Sequence, residues 1–598
     1  MAGRCCWPSP RPDPRPRPSP RPDPRPWPSP RPDPRPRPPS VEESPVPEQF
    51  HVYDTTLRDG AQQEGLNLSV NDKLIIARHL DTLGVDFIEG GWPGANPKDT
   101  EFFARAARDL TLSAATLVAF GATRRPGVAA GDDALVRALL DSQAPVITLV
   151  AKSHDRHVTL ALRTTLQENL AMVADTIAFL RAEGRRVFLD AEHFFDGYRD
   201  NPDYALEVVR TAAAAGAEVV VLCDTNGGML PDRVTEVVGS VLQSSGARLG
   251  MHAHDDTACA VANTLAAVTA GVTHVQGTAN GYGERSGNAN IFSVIANLQL
   301  KQGRDLIAPQ RMAEMTRVAH AISEVTNVTP NQHQPYVGTS AFAHKAGLHA
   351  SAVKIDPMLY QHIEPSVVGN DTRTLVSEMA GRASVVLKSR ELGVDLAAAG
   401  QGEAVMADRV IARVKELEAA GFTFEAADAS FELLLRDEIG GERLRHFTVE
   451  SWRTIVEQRP DGTIASEATV KVHAAGERRV ATGEGNGPVN ALDNALRSAL
   501  VGLYPELAGL RLVDYKVRIL AGERGTAAVT RVLIETSDGA GEWDTIGVSD
   551  NVIAASWQAI ADAVTYGLLR AGREPHAAVP TAELGQTSRA STLGGGPR

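Results

Sequence analysis

Between Val52 and Glu284, short apolar runs alternate eight times with amphipathic helical stretches, and that alternation limits the fold more than any other feature of the chain. The runs are VYDTTLRD, VDFIEGGWP, SAATLVAF, PVITLVAK, RVFLDAEHF, EVVVLCDT, RLGMHAHDD and THVQGTANGYGE. Stretches such as NDKLIIARHLDTLG, DDALVRALLDSQ and PDYALEVVRTAAAAG separate them, and several end in the glycine that closes a helix in left-handed conformation. Near-continuous apolar strands suit a parallel sheet covered by helices. Eight consecutive β/α units over about 250 residues have the size of a closed (β/α)8 barrel, whereas a doubly wound open sheet does not normally supply eight in a row. The expected fold class is α/β, with a TIM barrel over 48–305.

The remaining segments divide by texture. Residues 7–40 repeat a ten-residue unit, WPSPRPDPRP then RPSPRPDPRP, in which nearly every second residue is proline. Such a stretch lacks backbone donors and stays near polyproline II, so 1–47 is expected to be a disordered tail, more readily an unselected extension than a recruitment segment. Residues 306–430 read as a helical linker region. From 431 to 572 the order strand, strand, helix occurs twice, which predicts a duplicated α+β domain. The glycine-rich GEGNGP at 483–488 leads into a helix without the lysine of a phosphate loop and reads as a strand-to-helix turn. Residues 573–598 are expected to be disordered.

Composition narrows the partners. With 60 Lys and Arg against 73 Asp and Glu the net charge is -13, which disfavours nucleic acid and anionic membrane as main partners. No run approaches the roughly 18 consecutive apolar residues of a membrane span, and no signal-peptide layout opens the sequence, so a cytoplasmic location is expected. The four cysteines, Cys5, Cys6, Cys223 and Cys259, lack metal or redox spacing.

Barrel chemistry gathers at the C-terminal ends of the strands, and polar residues crowd there: Arg58 and Asp59, Glu192 and His193, Asp224 and Thr225, His252, His254 and Asp255, then Asn280, Glu284, Arg285 and Asn288. In a strand the side chains of His252 and His254 project to one side, here the barrel mouth. Asp59 from the first unit completes a 2-His-1-carboxylate set, which suits Mg, Mn, Zn or Fe(II) and leaves positions open for substrate.

YDTTLRDGAQQEG, LCDTNGGMLP, MHAHDD and GYGERSGNANI, in that order, resemble the metal-dependent Claisen-condensing barrels that include isopropylmalate, homocitrate and citramalate synthases, with hydroxymethylglutaryl-CoA lyases as relatives. The resemblance spans residues 50 to about 570. With EGGWPGANPKD after the second strand and HKAGLHASAVKIDPMLYQHI in the linker, the chain most resembles members that act on pyruvate.

The resemblance implies an acyltransferase that joins acetyl-CoA to pyruvate and hydrolyses the thioester, a step towards 2-oxobutyrate and isoleucine. It further implies Asp59, His252 and His254 as ligands of a divalent metal, with Asn288 as a further ligand unless it caps the next helix. Arg58 would hydrogen-bond the keto oxygen, Gln62 would pack beside the site, and Glu192 and Thr225 would contact the 2-oxo acid. His349 and Tyr360 would reach over a neighbouring barrel in a homodimer or higher homo-oligomer and take part in proton transfer; the base is open among Glu192, His349 and Tyr360. The C-terminal domain resembles the regulatory domain of isopropylmalate synthases, with isoleucine as the effector implied by the pathway. Lys152 at the end of the fourth strand keeps a dicarboxylate such as 2-oxoglutarate in play, so isopropylmalate or homocitrate synthesis are the rival activities.

Overall fold

The structure is a computed structural model that describes residues 50–575 and 577–580, apart from 346, 354, 377–380, 401, 441 and 521–527. The proline-rich repeat and the last 18 positions, 581–598, lie outside the described residues.

Eight parallel strands close a barrel: β1 (His51–Asp54), β2 (Phe87–Gly91), β3 (Thr116–Ala122), β4 (Val146–Lys152), β5 (Arg186–Glu192), β6 (Val219–Asp224), β7 (Leu249–Ala253) and β8 (His274–Gly277). Closure comes from β1 pairing with β8 in the register His51 to His274 and Tyr53 to Gln276. Local signals explain the flanking helices. Ser69 and Asp72 form reciprocal caps at the start of Val70–Leu83, and Gly84, with φ 94°, ends that helix in a conformation costly for any residue with a Cβ.

Every second strand residue points inward, and these residues stack in layers. An aromatic floor is made by His51, Phe87 and Phe188, with Phe87 and Phe188 edge to face at 5.2 Å between centroids. Above it lies a polar layer. The buried Tyr53 hydroxyl donates to Glu89 Oε1 at 2.7 Å and lies 2.8 Å from Thr148 Oγ1, while Gln276 Nε2 donates to Asp190 Oδ1 at 3.0 Å.

Beyond the barrel, helices including Met315–Thr326, Arg382–Glu391, Glu403–Ala419 and Asp428–Gly440 lead to two antiparallel three-stranded sheets. The first has strands Phe447–Gln458, Ile464–Ala474 and Glu477–Gly485, followed by helix Pro488–Leu500; the second has Arg511–Ile519, Thr530–Ser537 and Glu542–Ser549, followed by helix Val552–Arg570. Each repeat thus carries one strand more than the expected strand, strand, helix. The extra strands, ERRVATGEG and EWDTIGVS, are short of the apolar alternation that flags a strand, and pairing with their hairpin neighbours holds them in place.

GEGNGP is the end of a strand and the turn into a helix. A Cβ on Gly483 would meet Ala495 N at 2.4 Å and Ala491 O at 2.8 Å, so the glycine is there because the helix lies directly on the strand. Residues Ala577–Pro580, within the stretch expected to lack structure, pair with Glu442–Arg445. Among the described residues, helix Val552–Arg570 alone is long and apolar enough to cross a membrane, and 61% of its most apolar window is buried inside the protein.

Candidate metal centre and substrate pocket

Asp59, His252 and His254 meet at the barrel mouth, all buried, with one potential ligand atom from each within 4.8 Å of the others. Asp59 follows β1 in a tight loop, His252 sits inside β7, and His254 lies one residue past that strand, held by an isolated bridge to Asn288. His252 Nε2 is 3.1 Å and His254 Nε2 is 3.6 Å from Asp59 Oδ2, and the two Nε2 atoms are 3.0 Å apart.

Electrostatics favour a cation at this point. Burial works to raise the Asp59 carboxyl, but the Arg58 charge and the hydrogen bonds from both imidazoles hold it well below the usual carboxylate range. Burial disfavours charge on His252, yet the Asp59 hydrogen bond and charge raise it above its ordinary value. The same negative charge that favours a proton on His252 would favour a metal ion at this point. Arg285 Nη2 donates to His254 Nδ1 at 2.9 Å, which leaves the proton of the neutral ring on Nε2; a cation would exchange with it, and Arg285 retains Asp256 and the Thr225 carbonyl as partners.

The donor set suits a divalent ion of borderline or hard character; the Cys223 thiol, on the strand beside His252, is not part of the group, and burial pushes it well above its ordinary value and so keeps it protonated. Asn288 does not cap a helix: Asn290 caps Ile291–Leu300 instead, accepting from the Phe292 N–H. Asn288 Nδ2 donates to the Tyr282 carbonyl, while its buried Oδ1 has no partner. An orphaned carbonyl oxygen beside His254 is what a further ligand would leave in the protein alone.

Arg58 is fixed from three sides. Its Nε donates to Glu89 Oε2 at 2.5 Å, its Nη1 is 3.5 Å from Asp59 Oδ2, and its guanidinium lies 3.9 Å above the Phe120 ring. Its ion-pair partners are thus Asp59 and Glu89. Burial opposes its charge, but Glu89 and Asp59 raise it further above its already high value. A cavity of about 280 Å³ opens beside Arg58, lined by Gln62, Leu66, Trp92 and Asp99 among others. Gln62 is exposed at the end of the short helix Gly60–Gln62, and the buried Trp92 Nε1 has no hydrogen-bond partner.

On the opposite side of the mouth Glu192 is ion-paired with Lys152, each side chain 24% exposed. Lys152 is therefore not an unpaired cation waiting for a second carboxylate. Thr225 Oγ1 accepts from the His193 backbone N–H at 2.8 Å, holding His193 at φ 58° and thereby aiming the Glu192 end of β5. His349 and Tyr360 stack on each other with centroids 4.2 Å apart, but among the described residues neither hydrogen-bonds to the triad. Both belong to a surface strip where Leu348, Ile355, Met358 and Leu359 are exposed.

Sequence reading overlooked Glu89, Asp190, Gln276 and Trp92. The first three occupy inward positions of β2, β5 and β8, so the period-two rule that singled out His252 and His254 points equally to them.

Three family models match the chain: HMGL-like over residues 49–323, homocitrate synthase post-HMGL domain-like over 336–420, and LeuA allosteric (dimerisation) domain over 425–568. Similar curated proteins include the (R)-citramalate synthase of Streptomyces coelicolor, 69% identical over 89% of this chain and 99% of that protein. The (R)-citramalate synthase of Synechocystis is 50% identical over 86% of this chain and 96% of that protein. Among solved structures, the HMG-CoA lyase of Bacillus subtilis aligns with a TM-score of 0.41 at 18% identity, covering 48% of this chain and 96% of that one.

Proposed function

This chain belongs to the (R)-citramalate synthase family, and on that premise we propose that its barrel joins acetyl-CoA to pyruvate and releases (R)-citramalate and CoA. The observation that carries the reading is the buried group Asp59, His252 and His254 directly beside the immobilised guanidinium of Arg58. A divalent ion held by the triad, with Asn288 Oδ1 as a further donor, would supply Lewis acidity to the oxygens of the 2-oxo acid.

Arg58 supplies the complementary charge. Its Nη2 makes no hydrogen bond among the described residues, so it is free to donate to the keto oxygen and to the alkoxide formed as the new C–C bond closes. Glu89 and Phe120 keep the guanidinium from collapsing onto the carboxylate of Asp59. Glu192 and Thr225 border the 2-oxo acid, and the cavity along Gln62 and Trp92 takes the thioester arm.

Loss of a proton from the acetyl methyl gives the enolate whose carbon attacks the ketone. The Glu192 carboxylate is already engaged by Lys152, so proton removal falls to His349 with its stacked Tyr360. In a homodimer the exposed strip carrying this pair packs over the partner's barrel. Water then cleaves the thioester, releasing CoA as the thiol and the second carboxylate of the product.

Lys152 bears on substrate choice. With its ammonium engaged by Glu192, Lys152 is not available to a distal carboxylate, which favours pyruvate over 2-oxoglutarate. The LeuA-type domain implies a homodimer and effector regulation, and isoleucine, the downstream end product, is the effector that fits. The reading places the reaction in the cytoplasm.

The test is thiol release from acetyl-CoA with pyruvate, 2-oxoisovalerate and 2-oxoglutarate in parallel, with and without isoleucine or leucine. Pyruvate should give the highest kcat/KM, and isoleucine alone should inhibit. A preference for either other acid would overturn the substrate assignment.

A further inference from the structure

The polar layer beneath the metal triad contains a chain of contacts that the reaction itself does not use. Gln276 is fully buried on β8. Its Nε2 donates to Asp190 Oδ1 at 3.0 Å, and its Oε1 lies 2.8 Å from His252 Nδ1. In this arrangement the amide nitrogen faces Asp190 and donates to it, and the amide oxygen faces the imidazole. That oxygen can only accept, so His252 must carry a proton on Nδ1, and the lone pair of the neutral ring sits on Nε2. Nε2 is the atom that faces Asp59 and His254.

We propose that Gln276, anchored by Asp190, is the positioning residue of the metal centre: it fixes the tautomer and plane of His252 and so sets the affinity of the triad for a divalent cation. Two features support a dedicated role over mere packing. Gln276 reaches His252 across adjacent parallel strands, since β7 pairs with β8 along Gly250 to His274 and Met251 to Val275, so the contact is part of the barrel frame and not of a mobile loop. The anchor itself is costly: burial, reinforced by Glu89, pushes Asp190 up to about 7, and the protein retains this acid in its core with Gln276 as a hydrogen-bond partner. In His254 the second ring nitrogen meets Arg285, a donor at the rim, so His252 is the better preorganised of the two imidazoles.

This inference rests on the triad being a metal site, and the experiment separates the two ideas. Full-length protein is stripped with chelator and titrated with Co²⁺, followed by its visible absorption and by chelator competition. Gln276→Met should raise the Co²⁺ Kd roughly 10- to 100-fold, the range for lost outer partners of metal-bound histidines. Thr148→Val, which disturbs the same buried layer without touching His252, should leave the Kd within about 2-fold. The decisive variant is the exchange Gln276→Glu with Asp190→Asn. There the amide of position 190 donates to the carboxylate of position 276, which still accepts from His252 Nδ1, and affinity should recover most of the loss. Wild-type affinity in Gln276→Met, equal weakening by Thr148→Val, or no recovery in the exchanged pair would overturn the positioning role. Failure of the wild-type protein to bind Co²⁺ would instead overturn the metal reading itself.

Discussion

The barrel and the C-terminal domain handle their strands in opposite ways. Barrel strands β1, β2, β6, β7 and β8 are buried along their whole length, because helices cover the outside and neighbouring side chains fill the inside. In the C-terminal domain each sheet has one edge strand left almost bare: Phe447–Gln458 and Arg511–Ile519 expose Ile455, Val456, Val513 and Ile519 at 50 to 59%. Helix Pro488–Leu500 lies mainly over the other two strands of its sheet, as helix Val552–Arg570 does over its own. The barrel closes its sheet within one chain and leaves no strand edge, whereas the C-terminal sheets present bare apolar edges of the kind that a second surface covers. The candidate metal site therefore lies within a single chain, while the bare strands of the LeuA-type domain point to assembly between two.

The sharpest way to break that division is at the triad. His252→Ala or Asp59→Asn should reduce turnover to background and remove bound metal on elemental analysis, while the oligomer seen by sedimentation stays unchanged. Arg58→Gln should lower kcat by about 10² to 10³-fold with metal content intact, as removal of one donor to a developing oxyanion does elsewhere. Retained turnover in that variant would remove Arg58 from the chemistry. On the other side, Ile455→Lys with Val517→Lys should convert the dimer to monomers without changing metal affinity, and activity should fall on the proposal that a partner supplies His349 and Tyr360. An unchanged sedimentation coefficient would place the interface elsewhere.

A smaller effect concerns pH. His252 has a raised folded-state pKa, and its proton and the metal compete for one nitrogen, so Kd for the metal should rise as pH falls through that value and level off above it. Smallest of all is a stability effect in the barrel. Burial pushes Asp54 up to about 7, so the folded state binds the proton more tightly than the unfolded chain does. Its contribution is full below the unfolded carboxyl value near 4 and is lost as pH rises to about 7. Asp54→Asn should thus raise Tm by a few degrees at pH 8 and hardly at all at pH 4, measured by calorimetry.

The barrel was legible because its strands are buried on both faces and read as unbroken apolar runs, while helix caps at Ser69 and Gly84 mark the joints. The edges of the C-terminal sheets were harder to see. ERRVATGEG carries charge at Glu477, Arg478 and Arg479, and its strand state comes from pairing with Ile464–Ala474, which no local pattern announces. At the site, His252 and His254 stand out because histidines two apart are rare enough to notice. Glu89, Asp190 and Gln276 sit at equivalent inward positions but look ordinary in FIEGG, FLDAE and HVQG, and their importance lies in partners on other strands. Lys152 shows the opposite error: alone it reads as a free charge, and only the pairing of β4 with β5 at Lys152 and Glu192 reveals that it is spent.

The order of the ligands along the chain has a consequence for biosynthesis. Asp59 emerges from the ribosome with the first strand, but His252 and His254 arrive with the seventh, and Gln276 with the eighth that closes the ring. A nascent polypeptide therefore cannot assemble the candidate site until nearly the whole barrel has been translated, so occupancy of that site would report completed folding.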